Sequence, residues 1–97
     1  MDIPTTMRAL QQTSLDGPQA LRHVDDAPVP RPAESEILLR VTAAGVNFVD
    51  LQQATGTFPN GPRPPYVAGI EAAGEVVETG GGVTSPALGA HVVGVAI

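Results

Sequence analysis

Glycine and proline punctuate this chain from end to end, and their placement limits what its 97 residues can build more than any other feature. Eleven glycines and ten prolines are nearly twice ordinary usage, about the level of a turn-rich fold and short of low-complexity sequence. Asp16-Gly17-Pro18 is a turn signal. Pro28, Pro30 and Pro32 stand at alternate positions, which forbids a continuing ladder and predicts an extended connector. Phe58 to Tyr66 reads as loop, and Gly80-Gly81-Gly82 as a turn. Short elements fit between these breaks. Strands are expected over residues 6–14, 20–24, 36–46, 67–79 and 88–97, with one or two helical turns over 47–56 that end on a glycine of C-cap type. The run 36–46 is the densest in apolar, branched residues and reads as a central strand. About five short strands and one short helix predict a mainly β fold, a small barrel or sandwich.

Composition and charge narrow the function classes. Apolar residues at 42% against 15% charged suffice for one core, so residues 1–97 read as one domain and not as a disordered chain. The net charge is −5 and the five cations are all arginine, scattered singly at Arg8, Arg22, Arg31, Arg40 and Arg63. Without a basic patch, neither nucleic acid nor an anionic membrane is expected as a partner. Zero cysteine removes a disulfide framework, a thiolate nucleophile and a cysteine-based zinc site. The start Met1-Asp2-Ile3-Pro4 lacks the basic-then-apolar order of a secretory signal, and no apolar run reaches membrane-spanning length, so a cytoplasmic location is expected. His91 to Ile97 stays apolar to the last residue. A free carboxylate after a buried strand is costly, so the chain is expected to continue, or to pair with another segment or a second copy.

Two stretches carry the chemical information, and both admit a bland reading. Asn47-Phe48-Val49-Asp50 has the makings of a helix start, since Asn is a favoured N-cap and an acid three residues on suits the exposed amides and the dipole. Capping is compatible with ligand contact, because a cap residue stands where a ligand can reach it. Gly69-Ile70-Glu71-Ala72-Ala73-Gly74 places an acid on a strand, where it is either a solvated side chain or a functional one. His23 and His91 have no carboxylate or serine partner at a suggestive spacing and read as structural. Tyr66, after two prolines, reads as a loop anchor. The triple glycine lacks phosphate-loop spacing, and no Gly-x-Gly-x-x-Gly opens a helix.

These stretches, with Gly17-Pro18, the proline connector, Glu36-Ile37-Leu38-Leu39-Arg40-Val41 and Gly89-Ala90-His91-Val92, resemble in order and spacing the N-terminal GroES-like domain of the medium-chain dehydrogenase/reductase superfamily. The resemblance spans essentially the whole chain and implies a partly open β-barrel with one short helix. Zinc-dependent members are similar to Gly-His-Glu at the second stretch and carry a cysteine in the first. Here those positions are Ile70 and Asn47, an alkyl group and an amide, and neither suits Zn²⁺. The chain therefore looks like the zinc-free quinone oxidoreductase branch, with polyketide-type enoyl reductase domains as relatives. The resemblance implies hydride transfer from NADPH to a quinone or a conjugated enone. It implies catalytic roles for Asn47 and Asp50, cofactor contact by Asn47 and Phe48, substrate contact by Gln52, Phe58, Tyr66 and Glu71, and no metal. Gln52 stands where many relatives carry tyrosine, and Phe58 has no hydroxyl, which leaves Tyr66 as the phenol. The family's cofactor lies between this domain and a Rossmann domain that these residues do not contain, so a Rossmann half in cis or in trans is expected, and no turnover from the 97 residues alone. The competing expectation is a stand-alone structural or interaction module on the same scaffold.

Overall fold

The turn signals divide the chain into two small sheets in a computed structural model that describes residues 2–96. The elements are β1 (Thr6–Gln12), β2 (Leu21–Pro28), β3 (Ile37–Gly45), α1 (Phe48–Thr55), β4 (Tyr66–Val67), β5 (Glu71–Thr79) and β6 (His91–Val95). The turn after β1 carries a 3-10 turn, Pro18–Ala20, that the sequence reading did not separate from its neighbours. All pairings are antiparallel. One sheet has the order β2-β1-β4, the other β3-β5-β6. Neither closes on the other, as a partly open barrel requires.

Four expectations are corrected. The run 36–46 forms β3 but not a central strand. Among the described residues it pairs on one side only, and β5 is the middle of its sheet. The reason lies in the partner: Gly74 of β5 is buried, and a Cβ there would fall on the Arg40 carbonyl, so β3 and β5 approach backbone to backbone at a point only glycine allows. The single strand expected over 67–79 is broken. Gly69, with φ 106°, adopts a conformation that disfavours other residues and turns the chain out of the first sheet into the second. β4 pairs Gln12 with Tyr66 and Gln11 with Val67, whereas β5 pairs with β3 and β6. β2 runs on through Asp25 and Asp26 to Pro28, because the two exposed acids are taken up in a bulge between the Ala9–Val24 and Met7–Ala27 pairs, and the ladder with β1 resumes beyond them. The strand expected to the last residue is assigned to His91–Val95, and the expectation for Ile97 lies outside the described residues, as does Met1 of the N-terminal motif.

The core is thin. Ala20, Ala27, Ala54, Ile70 and Val76 are its buried apolar side chains. Gln12 is buried with them and satisfied: its Nε2 donates to the carbonyls of Gly17 at 2.6 Å and Ser14 at 3.0 Å, which pins the first turn. The Gly17 N–H donates to the carbonyl of Ala54 at 3.1 Å and ties that turn to the end of α1. The helix is thereby fixed from both ends, by this bond and by its junction with β3.

Candidate active site

Asn47 is extended, with φ −126° and ψ 163°, and α1 begins at the next residue, so this asparagine is the N-cap that the sequence pattern predicts. Its backbone N–H donates to Oδ2 of Asp50 at 2.7 Å, the carboxylate arm of a capping box. The Asp50 N–H donates to the Asn47 carbonyl at 3.0 Å. The other Asp50 oxygen, Oδ1, is buried and has no hydrogen-bond partner among the described residues.

The Asn47 side chain reaches across to the second sheet. Its Nδ2 donates to Oε2 of Glu71 at 3.3 Å. Glu71 is the first residue of β5 and lies opposite Gly45, the last of β3. A Cβ at Gly45 would fall on the Glu71 carboxylate, so the glycine opens the space that the acid occupies. Asp50, Asn47 and Glu71, read from two separate motifs, thus form one connected set at the junction of β3, α1 and β5. Among the described residues, the second amide N–H of Asn47 has no protein acceptor and remains a donor for a ligand.

The remaining candidates separate. Phe58 and Tyr66 line an open groove of about 520 Å³ beside this junction, together with Gln53, Pro62 and Ile70. Burial pushes the Tyr66 phenol above its ordinary pKa of 10.0, and the negative charge of Asp50 adds to the shift. Phe48 is 71% exposed at the start of α1. Gln52 is not part of the groove wall; its backbone carbonyl collects the N–H groups of Thr57 at 2.9 Å and Phe58 at 3.3 Å, and so shapes the loop that carries Phe58. The groove residue that sequence reasoning missed is the next one, Gln53, which is buried. Its signal was the spacing, since residues 50 and 53 share a helix face.

No group of three His, Cys, Asp or Glu side chains that could hold a metal ion occurs among the described residues. At the two positions where zinc-dependent proteins of this type place ligands, Asn47 is engaged with Glu71 and Ile70 is buried alkyl. That donor set does not fit Zn²⁺. No helix among the described residues is long and apolar enough to cross a membrane.

Known proteins resemble this chain in sequence and fold. Residues 33–97 match the alcohol dehydrogenase GroES-like domain. A quinone oxidoreductase from Lama guanicoe is 39% identical over 74 residues, covering 76% of this chain and 22% of that protein. Alcohol dehydrogenase 1 from Caenorhabditis elegans is 38% identical over 89 residues, covering 92% of this chain and 25% of that protein. The native structure of a mycobacterial protein complexed with NADPH superimposes with a TM-score of 0.80 at 39% identity, over 91% of this chain and 27% of that one. The chain therefore spans about a quarter of the length of the curated relatives it matches.

Proposed function

The chain belongs to the alcohol dehydrogenase GroES-like domain family of the medium-chain dehydrogenase/reductase superfamily, and from that membership we propose that it is the N-terminal, substrate-side portion of a zinc-independent, NADPH-dependent reductase of quinones or conjugated enones. The observation that carries the reading is the Asn47 amide, braced by Glu71 at the start of α1, at the position where a metal-dependent relative needs a thiolate. Similarity to a quinone oxidoreductase and to a protein complexed with NADPH supports the choice of substrate class and cofactor.

NADPH, when bound, supplies the hydride. The residues described here fit a role beside it: Asn47 keeps an N–H free, and the exposed Phe48 ring offers a flat apolar contact for the nicotinamide side. Hydride addition to a conjugated carbonyl builds negative charge on oxygen, and an oriented neutral donor stabilises that charge without a metal. Asn47 is such a donor. Asp50 fixes the backbone of Asn47, and Glu71 fixes its side chain, so neither arm must reorganise as charge develops. Tyr66, a phenol that is protonated at neutral pH, is offered as a second neutral donor.

A Rossmann half in cis or in trans completes the cofactor site in this reading, the enzyme acts in the cytoplasm, and the apolar sheet surface allows a homo-oligomer. The test uses the protein that carries this chain, with NADPH and 1,4-naphthoquinone. Asn47→Ala is expected to lower kcat by about 10²-fold, and a zinc chelator to leave turnover unchanged. Equal turnover by the variant, or loss of activity to the chelator, overturns the reading. The 97 residues alone are expected to give no NADPH fluorescence change at micromolar concentration. A stand-alone interaction module would show neither NADPH oxidation nor any effect of Asn47→Ala.

A further inference from the structure

Between Phe58 and Tyr66 the loop is held by a single internal backbone bond among the described residues: the Gly61 N–H donates to the Phe58 carbonyl at 3.0 Å. Pro59 is the second residue of that turn and Asn60 the third, with a left-handed φ of 55°. This is the type II pattern, whose third position suits glycine or asparagine. Asn60 is exposed, and Gly61 after it has no side chain to shield the peptide nitrogen between them.

Asparagine is a labile residue, and before glycine it has a reaction of its own. The Gly61 nitrogen closes on Cγ of the Asn60 side chain: the N–Cγ bond forms, the Cγ–Nδ2 bond breaks, and the proton from the Gly61 nitrogen leaves with Nδ2 as ammonia. Water then adds to either carbonyl carbon of the cyclic imide and breaks that carbon's bond to the Gly61 nitrogen. Addition at Cγ leaves aspartate. Addition at the backbone carbon leaves isoaspartate, with an extra methylene in the main chain. An amide and water have become a carboxylate and ammonium, with no oxidant and no cofactor.

The fold decides which position reacts. At Asn60 only the one turn bond must open to free the attacking nitrogen. Asn47, the other asparagine of the chain, precedes a phenylalanine, and its Nδ2 is held by Glu71. Asp16 also precedes a glycine, but Gly17 is buried and its N–H is tied to the Ala54 carbonyl at 3.1 Å. Ring closure there would change no charge.

The location gives the reaction a consequence. Asn60, Gly61 and Pro62 wall the groove with Phe58 and Tyr66, and no charged side chain lines it. Conversion brings a carboxylate to that neutral wall, and the isoaspartate form lengthens the turn that carries Phe58. We propose that Asn60-Gly61 is a site of spontaneous covalent modification, at which Asn60 converts slowly to aspartate and isoaspartate and gives the groove an acidic wall. The reaction is a property of the turn and holds whatever the groove binds.

The experiment incubates the protein that carries this chain at neutral pH in heavy-oxygen water and maps its peptides by mass spectrometry over time. Residue 60 is expected to gain a carboxylate and the oxygen label, as two products of equal mass, while Asn47 stays unlabelled. Direct hydrolysis of the side chain cannot give isoaspartate, so the second product identifies the imide route. No label at residue 60 over a period in which the urea-unfolded protein is labelled there overturns the proposal. Equal labelling of Asn47, or aspartate without isoaspartate, does the same. The groove is read through Tyr66, whose titration is isolated by difference against Tyr66→Phe. Asn60→Asp, which carries the product's charge on an unaltered backbone, is expected to move the midpoint upward, and Asn60→Gly, which suits the left-handed position, to leave it in place. An unmoved midpoint in Asn60→Asp overturns the assignment of the new charge to the groove.

Discussion

At the scale of single residues, Asp50 couples the helix cap to Tyr66 through its charge, while its buried Oδ1 has no hydrogen-bond partner among the described residues. One carboxylate oxygen caps the helix, and the charge of the whole group is felt by Tyr66. Tyr66 is the single tyrosine of a chain without tryptophan, so its ultraviolet titration is unambiguous. The midpoint is expected above 10.0, and Asp50→Asn should bring it down only part of the way, since burial is the larger cause. The sign follows from the direction: a phenol whose pKa is raised on folding adds stability that is fully present below 10.0 and is lost as pH climbs through the folded value. A midpoint at or below 10.0 would show that the phenol is solvated. Asp50→Ala removes the carboxylate arm of the capping box and is expected to cost about 0.5–2 kcal/mol in urea unfolding. Asn47 and Asp50 were legible because capping is a local rule written in consecutive residues. Gln53 was not, because the identity of the glutamine gives no sign of which neighbour faces the groove, and Gln52 was preferred on resemblance alone.

At the scale of elements, the β3–β5 pair is where backbone contact replaces side-chain packing. Gly74→Ala puts a methyl onto the Arg40 carbonyl and is expected to destabilise by about 1–3 kcal/mol. Gly94→Ala on the neighbouring β6 meets nothing within 4 Å and should be neutral or slightly stabilising, because it restricts only the unfolded chain. Equal effects of the two changes would mean that the strands do not approach as described. The same pair carries an exposed cross-strand ion pair, Arg40 to Glu75, at 2.6 Å. The Arg40 hydrogen bond holds the Glu75 carboxyl below its ordinary 4.5. Its contribution is therefore present above that value and lost as pH falls through the lowered one. Arg40→Gln should flatten the stability change below pH 4.5, and high salt should do the same to the wild type. Element type and rough position were readable from glycine, proline and apolar runs. Edge and centre were not: β3 is the more apolar strand, yet β5 is central, because pairing on both sides depends on what arrives from distant sequence.

At the scale of the whole molecule, each sheet is held mainly by its own ladder, and few apolar side chains are fully buried. Val93 and Val95 of β6, Val41 of β3, Val46 and Leu88 remain exposed. A domain with so little core is marginal. For the 97-residue chain by itself, urea unfolding followed by tyrosine fluorescence, which reports β4 and the first sheet, is expected to precede or follow the circular dichroism change by a measurable concentration. Coincident transitions would show that the two sheets unfold as one unit. The exposed valines should also bind a hydrophobic dye at neutral pH, and Val93→Lys should reduce that signal without lowering stability.

What the amino-acid order determined by itself is local: where the chain turns, which residue caps the helix, and that no thiolate is present. Each depends on neighbours within a few residues, where steric and hydrogen-bond rules act directly. What only the tertiary structure decided is long-range. Gly69 sends β4 and β5 to different sheets, Asn47 meets Glu71 across 24 positions, and Gln53, not Gln52, faces the groove. Those outcomes are set by antiparallel pairing between distant strands and by the rotation at which α1 docks, which local sequence rules do not specify.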